Sequence, residues 1–313
     1  MIPIFDAHAD TPFELFRKSE ALERNSGHIS LERAKKLPQY AQFFACCTYS
    51  GGYELNGRFY SSKELYTLPK KVMDRELSAN ADRIAFCRNA EELRRAWSEQ
   101  KIAAFYSLEG AEGIDCDESR LDALYQDGVR MVSLTWNGNN LLAGFHGGSL
   151  GLTEQGRCFV QKAQKLGMIL DVSHSSDQTV LDMAEIAVLP IIASHSNSRE
   201  VQGCSRNLSD DLFRAICKTG GLAGINLYAD FLASAKADFD SVYAHIDHFL
   251  CLCGDNHVAL GGDLDGCDAL PDGFTGVDCY AGLCEYLLKK YHETTVEKLC
   301  YRNLLRVLEV CCK

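Results

Sequence analysis

The stretch from Met168 to His195 constrains the fold more than any other part of the chain. Met168-Ile-Leu-Asp-Val172 and Pro190-Ile-Ile-Ala193 are short, apolar, β-prone runs, and each delivers a polar tip with a histidine, His174 and His195. Between them, residues 177–189 place Val180, Leu181, Ala184, Ala187 and Val188 at helical spacing. A strand–helix–strand unit implies parallel strands joined by a right-handed crossover. In parallel barrels and doubly wound sheets, ligands sit at the carboxyl ends of the strands, and both histidines stand there.

Six further runs of the same kind fall at 2–5, 41–49, 102–108, 129–135, 222–227 and 258–262. Helical patterns occupy 61–81, 90–100, 154–166, 210–218, 239–253, 278–291 and 294–310, with Ser209 as a plausible N-cap for 210–218. Eight β-rich runs, most followed by a helix, predict a (β/α)8 TIM-type barrel rather than an open sheet. The extra chain between the second and third runs is the main departure. No Pro/Gly/Ser-rich linker or charge block divides the 313 residues, which predicts a single domain, 1–313.

Charge and composition narrow the partners. The formal net charge is -11 with no basic stripe, which argues against nucleic acid and anionic membrane surfaces. No apolar run is long enough to span a bilayer, and Met1 to His8 lacks the basic and apolar regions of a secretory signal. The expected location is cytoplasmic. Fifteen cysteines without a Cys-x-x-Cys pair then read as reduced thiols rather than a disulfide framework.

The predicted strand ends carry His8 and Asp10, Glu109, Trp136, His174, His195, Tyr228 and Asp263. His8 and Asp10 lie two apart, so in extended chain both point to one side. Each residue has a bland reading alone: a satisfied histidine, a turn aspartate, a solvated strand end. Glu112 competes with Glu109, and His146 sits in a Gly-rich loop that could reach the barrel mouth. His245 and His248 fall on a helix expected outside the barrel, and with His28, His257 and His292 they read as structural or solvated. Three histidines and at least two carboxylates on one rim can hold two divalent ions, especially if a carboxylate bridges them. Such a pair acidifies water and polarises the oxygen under attack, so the spacing points to a metal-dependent hydrolase.

At these residues the sequence resembles the membrane (renal) dipeptidase family of binuclear zinc peptidases. The resemblance runs through Asp6-Ala-His-Ala-Asp-Thr11, Leu108-Glu-Gly110, Gly167 to His174, Ser194-His-Ser196, Arg206 to Asp211, Asn226-Leu-Tyr228, His245-Ile-Asp-His248 and Gly261 to Gly266. It implies two Zn2+ per chain: His8 and Asp10 on one, His174 and His195 on the other, with Glu109 and a water or hydroxide bridging both. It also implies that Arg206 receives the free carboxylate of a dipeptide substrate, supported by Tyr228, and that Asp263 is the acid/base. A homodimer is a further family-level expectation.

The chain departs from the family at Trp136, where many members carry a histidine that contacts the developing oxyanion. His146, entering from the loop, is the other candidate for that place. The departure keeps open a metal-dependent amidohydrolase acting on a lactam, lactone or N-acyl amino acid. Intact ligand positions argue against a catalytically silent scaffold.

Overall fold

The computed structural model describes residues 2–313; Met1, where the expected 1–313 domain begins, lies outside the described residues. The strands are β1 (Ile4–Ala9), β2 (Tyr40–Cys47), β3 (Tyr53–Leu55), β4 (Arg58–Tyr60), β5 (Ile84–Phe86) and β6 (Ile102–Glu109). They continue with β7 (Val129–Ser133), β8 (Ile169–Asp171), β9 (Ile191–Ala193), β10 (Leu222–Ile225) and β11 (Val258–Leu260). Eight of them close a parallel ring in the order β1-β2-β6-β7-β8-β9-β10-β11, with β11 pairing back onto β1 and β2 pairing with β6. The chain is a (β/α)8 barrel, as the eight runs predict.

The extra chain between β2 and β6 accounts for the three strands outside the ring. β3 and β4 form an antiparallel hairpin, and β5 lies along the first half of β6 while β7 takes the second half. At three residues each, these strands are too short to show a period in sequence.

Alternation along the ring strands sends one set of side chains inward. Phe5, Phe43 and Phe105 pack there with ring centroids 5.0–5.7 Å apart. Leu304, Val307 and Leu308 of the helix Asn303–Cys311 join the same inner cluster and plug the amino-terminal end of the barrel. That terminal segment is not the continuous helix its pattern predicts, because a π-helical turn, Lys298–Arg302, interrupts it. Just past the turn, buried Asn303 donates to the carbonyls of Asp255 and Val258, each at 2.8 Å. The carboxyl-terminal end is therefore the open one. Helices enter with side-chain caps that satisfy their first N–H groups: Ser176 caps Asp177–Ile186 and Ser209 caps Asp210–Lys218. Among the described residues, no helix is long and apolar enough to cross a membrane.

Candidate active site

A cavity of about 570 Å³ occupies the open end of the barrel. Asp10, Glu109, Trp136, His146, His174, Arg206, Tyr228 and Asp263 line it, with His8 and His195 buried beneath. The strand-tip candidates, with His146 and Arg206, thus reach one mouth, whereas Glu112, the competitor of Glu109, stays outside the lining and accepts from Ser50 Oγ at 2.9 Å. The remaining histidines stand elsewhere. His245 is fully buried between the Ser198 N–H and the Leu232 carbonyl, and His248 pairs with Asp210 at 2.7 Å.

The centre is a cluster of lone pairs. Glu109, at the end of β6, directs Oε1 to within 2.9 Å of His174 Nε2, 3.5 Å of His195 Nε2 and 3.6 Å of His8 Nε2. His8 Nε2 also lies 3.5 Å from Asp10 Oδ2. The far nitrogens settle the tautomers. His174 Nδ1 faces Asn137 Oδ1 at 2.9 Å, and an amide oxygen can only accept, so Nδ1 carries the proton. Ser194 Oγ donates to Asp171 Oδ2 at 2.6 Å and therefore accepts from His195 Nδ1 at 2.7 Å. Both Nε2 atoms are then bare lone pairs, yet they sit 3.0 Å apart and face a carboxylate.

Three acceptors converging without a proton fit a cation. Burial, helped by the Arg206 guanidinium at His174 and by His8 and then Arg206 at His195, holds both pKa values well below the ordinary range, which keeps the rings neutral. On the other side, burial lowers His8, but Glu109 and Asp10 outweigh it and push its pKa up to about 10, the response of a site short of positive charge. His8 Nδ1, His8 Nε2 and Asp10 Oδ1 are buried without a hydrogen-bond partner. Three groups have their donor atoms within 4.8 Å of one another, His8–Asp10–Glu109, Glu109–His174–His195 and His8–Asp171–His195, and the first two share Glu109. Imidazole and carboxylate donors in these numbers suit zinc or another divalent first-row ion.

The loop after β11 brings Asp263 to the centre. Asp263 has φ 55°, as His174 has φ 68°, and non-glycine residues in this left-handed region carry strain that the surroundings must hold. Asn226 Nδ2 donates to Asp263 Oδ2 at 3.0 Å, and Asp263 Oδ1 lies 3.9 Å from His8 Nε2. Burial, with Asp10 and Glu109 adding to it against His8, pushes the Asp263 carboxyl up to about 7. A Cβ on Gly266 would stand 2.1 Å from Asp10 Oδ2 and 2.5 Å from Asp263 Oδ1, so any side chain there would displace these carboxylates.

Arg206 lies across the mouth, 5% exposed, with Nη1 on Ser196 Oγ at 2.9 Å. Its Nε and Nη2 are buried without partners. A buried guanidinium with free N–H groups is costly until an anion meets it, and these two donors have the geometry to receive one. Tyr228 packs edge-on against Phe231, 4.8 Å away, on the Arg206 side. Trp136 lies between Tyr49, at 4.7 Å, and His174, at 6.2 Å. His146 turns its ring nitrogens to Asn137 at 3.2 Å and Ser205 at 3.0 Å.

Four supporting residues escape a reading of the sequence. Asp6 is a fully buried carboxylate that accepts from the N–H groups of His8 and Gly262, from Gln42 and from the Tyr280 hydroxyl, tying β1 to β2 and β11 beneath the centre. Asp171, Asn137 and Asn226 orient His195, His174 and Asp263 in turn. Asp6, Asp171 and Asn226 stand inside the motifs quoted above, without a role read for them. Nothing in the string shows that the partner of Asp171 is Ser194, since a crossover helix separates them.

Comparison with known proteins gives the family. The model of the membrane dipeptidase family, peptidase family M19, matches residues 1–311. The "uncharacterized protein in pqqA 5′ region" of Klebsiella pneumoniae is 33% identical over 252 residues, 76% of this chain and 93% of that protein. Among solved structures, the dipeptidase AC, a metallopeptidase of family M19, superposes with TM-score 0.90 at 28% identity over 99% of both chains. A metallopeptidase of Rhodobacter sphaeroides, solved with a phosphinate mimic of the dipeptide L-Ala-D-Ala, gives 0.88 at 25% identity, again over 99% of both.

Proposed function

The chain belongs to the membrane dipeptidase family, peptidase family M19, and is a metallo-dipeptidase; from that premise we propose that its centre holds two zinc ions and cleaves dipeptides with a free C-terminal carboxylate. His8 and Asp10 would hold one ion, His174 and His195 the other, and Glu109 both. Bound there, the ions supply Lewis acidity, which polarises the peptide carbonyl and acidifies water. Everything else falls to the protein. Arg206 takes the substrate carboxylate on Nε and Nη2, the two donors left free, and fixes the scissile bond over the histidines. Asp263, held by Asn226, accepts the proton of the attacking water and returns it to the amine as the C–N bond breaks. A carboxyl that takes up protons near pH 7 suits both halves of that exchange.

The single observation that carries this reading is the convergence of the Nε2 lone pairs of His174 and His195 on Glu109, opposite a buried guanidinium with two free donors. These likenesses do not favour the lactam, lactone or N-acyl amino acid alternative. Fifteen free thiols suit a reducing compartment, and we place the protein in the cytoplasm on that ground. A homodimer is part of the proposal, tested by sedimentation.

The test is metal content measured beside hydrolysis of a dipeptide panel, with Glu109→Gln as control. About two zinc per chain, with turnover lost in the variant, is the expected result. A single metal per chain, or full turnover in Glu109→Gln, would sink it.

A further inference from the structure

Four aromatic rings stand together on one side of the cavity. Tyr49 packs 4.9 Å from Phe13, 4.8 Å from Tyr53 and 4.7 Å from Trp136, and Phe13 meets Tyr53 edge-on at 5.5 Å. All four line the cavity that holds Glu109, Asp263 and Arg206. The proposed chemistry uses none of them. Two features show that they are held in place. Tyr49 adopts φ 46°, a left-handed conformation that a bulky side chain rarely takes, and its ring is packed against three others. Tyr53 arrives on the β3–β4 hairpin, the extra chain between β2 and β6, and Tyr60 of that hairpin anchors it edge-on against Phe16 at 5.5 Å.

Topology says which part of a substrate meets this wall. Tyr49 and Tyr53 follow β2, with Phe13 after the neighbouring β1 and Trp136 after β7, two steps along the ring, whereas Arg206 follows β9. In the ring order, β9 stands four steps from β2, directly across an eight-stranded mouth. An extended dipeptide spans about 7 Å. Anchored by its carboxylate at Arg206, it crosses the metal-ligand cluster and directs its first residue at the aromatic side.

We propose that Phe13, Tyr49, Tyr53 and Trp136 form the pocket for the side chain of the N-terminal residue, so that this enzyme prefers dipeptides beginning with an aromatic or large apolar residue. The inference rests on the Arg206 carboxylate reading, which sets the substrate's direction. Ring faces at these spacings bury an apolar or aromatic side chain and stack with it, and they offer a glycine or alanine little.

The test measures kcat and KM for Gly-Ala, Ala-Ala, Leu-Ala, Phe-Ala and the reversed Ala-Phe, with wild type, Tyr53→Ala and Phe59→Ala. Calorimetric binding of phosphinate analogues of Phe-Ala and Ala-Ala reads affinity apart from turnover. The expected wild-type preference for Phe-Ala over Gly-Ala is roughly tenfold or more in kcat/KM, carried by KM. Tyr53→Ala shrinks that ratio to about threefold and removes the tighter binding of the Phe-Ala analogue. Phe59 lies on the same hairpin, 63% exposed and outside the cavity lining, so Phe59→Ala keeps the wild-type ratio. A flat substrate series, or a Tyr53→Ala loss equal for Gly-Ala and Phe-Ala, overturns the pocket. An effect of Tyr53→Ala on Ala-Phe instead of Phe-Ala also overturns it, by reversing the substrate, while leaving the dipeptidase reading intact. Failure of the zinc-loaded enzyme on every dipeptide overturns that reading itself, and this one with it.

Discussion

His174 and His195 are readied to act as ligands by what holds their other nitrogens. Asn137 and the Asp171–Ser194 pair fix both rings as Nδ1–H tautomers, which leaves Nε2 free for an ion. Removing such an outer partner loosens the ring without removing the ligand. Ser194→Ala is therefore expected to weaken metal affinity by about 10- to 100-fold while the fold persists, measured by competition with a metal indicator. Unchanged affinity would mean that packing alone orients His195. Arg206→Lys is a second residue-scale case. Lysine keeps the charge and loses the paired donors, so kcat/KM should fall about 10- to 150-fold, mostly through KM, with zinc content as in wild type. A loss confined to kcat would remove Arg206 from substrate binding.

At the scale of elements, the helix Phe239–Cys253 carries a structural histidine. His245 has no exposed surface; Nδ1 accepts from Ser198 N at 3.1 Å, and Nε2 donates to the Leu232 carbonyl at 3.0 Å. It thus ties an outer helix to the loop after β9 that leads to Arg206. Burial is the main reason its pKa falls to about 4. Because the folded value lies below the ordinary 6.5, the unfolded chain takes up the proton first as pH drops. This contribution is intact above about pH 6.5 and is lost progressively toward pH 4, a ceiling of roughly 3 kcal/mol. Urea midpoints at pH 7 and pH 5 should differ less in His245→Gln than in wild type; an equal difference would assign the slope to other groups. The loop after β11 makes a separate prediction. A methyl group at Gly266 collides with Asp10 and Asp263, so Gly266→Ala should cut activity at least about 100-fold with only a modest change in melting temperature.

At the scale of the whole molecule, the barrel is sealed at one end by its own last helix and left open at the other. Leu308 is fully buried in the inner cluster, and Leu308→Ala should cost about 2–5 kcal/mol in denaturant unfolding without changing KM. The open end instead concentrates carboxylates and bare imidazoles that repel or go unpaired without a counter-charge. Stripping the metal with a chelator should therefore lower the melting temperature, and zinc at a thousandfold over its Kd should restore about 4 kcal/mol. Equal stability with and without metal would mean that the cluster is not its binding site.

Much of this was legible in the order of residues alone. Each ring strand is a local apolar run, and each tip is covalently next to its strand, so the parallel barrel and the rim bearing His8, Glu109, His174, His195 and Asp263 follow from local pattern plus the one direction that crossovers allow. Strands of three residues, such as Ile84–Phe86 and the two arms of the hairpin, carry no period and surfaced only in the fold. Pairings across space were equally silent: Asp171 with Ser194, Asn226 with Asp263, Tyr280 with Asp6 and Tyr53 with Phe13. Hydrogen bonds and ring contacts act over a few ångströms, whereas these partners lie 23 to 274 positions apart in the chain. The sequence by itself determined which groups reach the mouth; closure of the barrel decided which proton each one holds and what faces it.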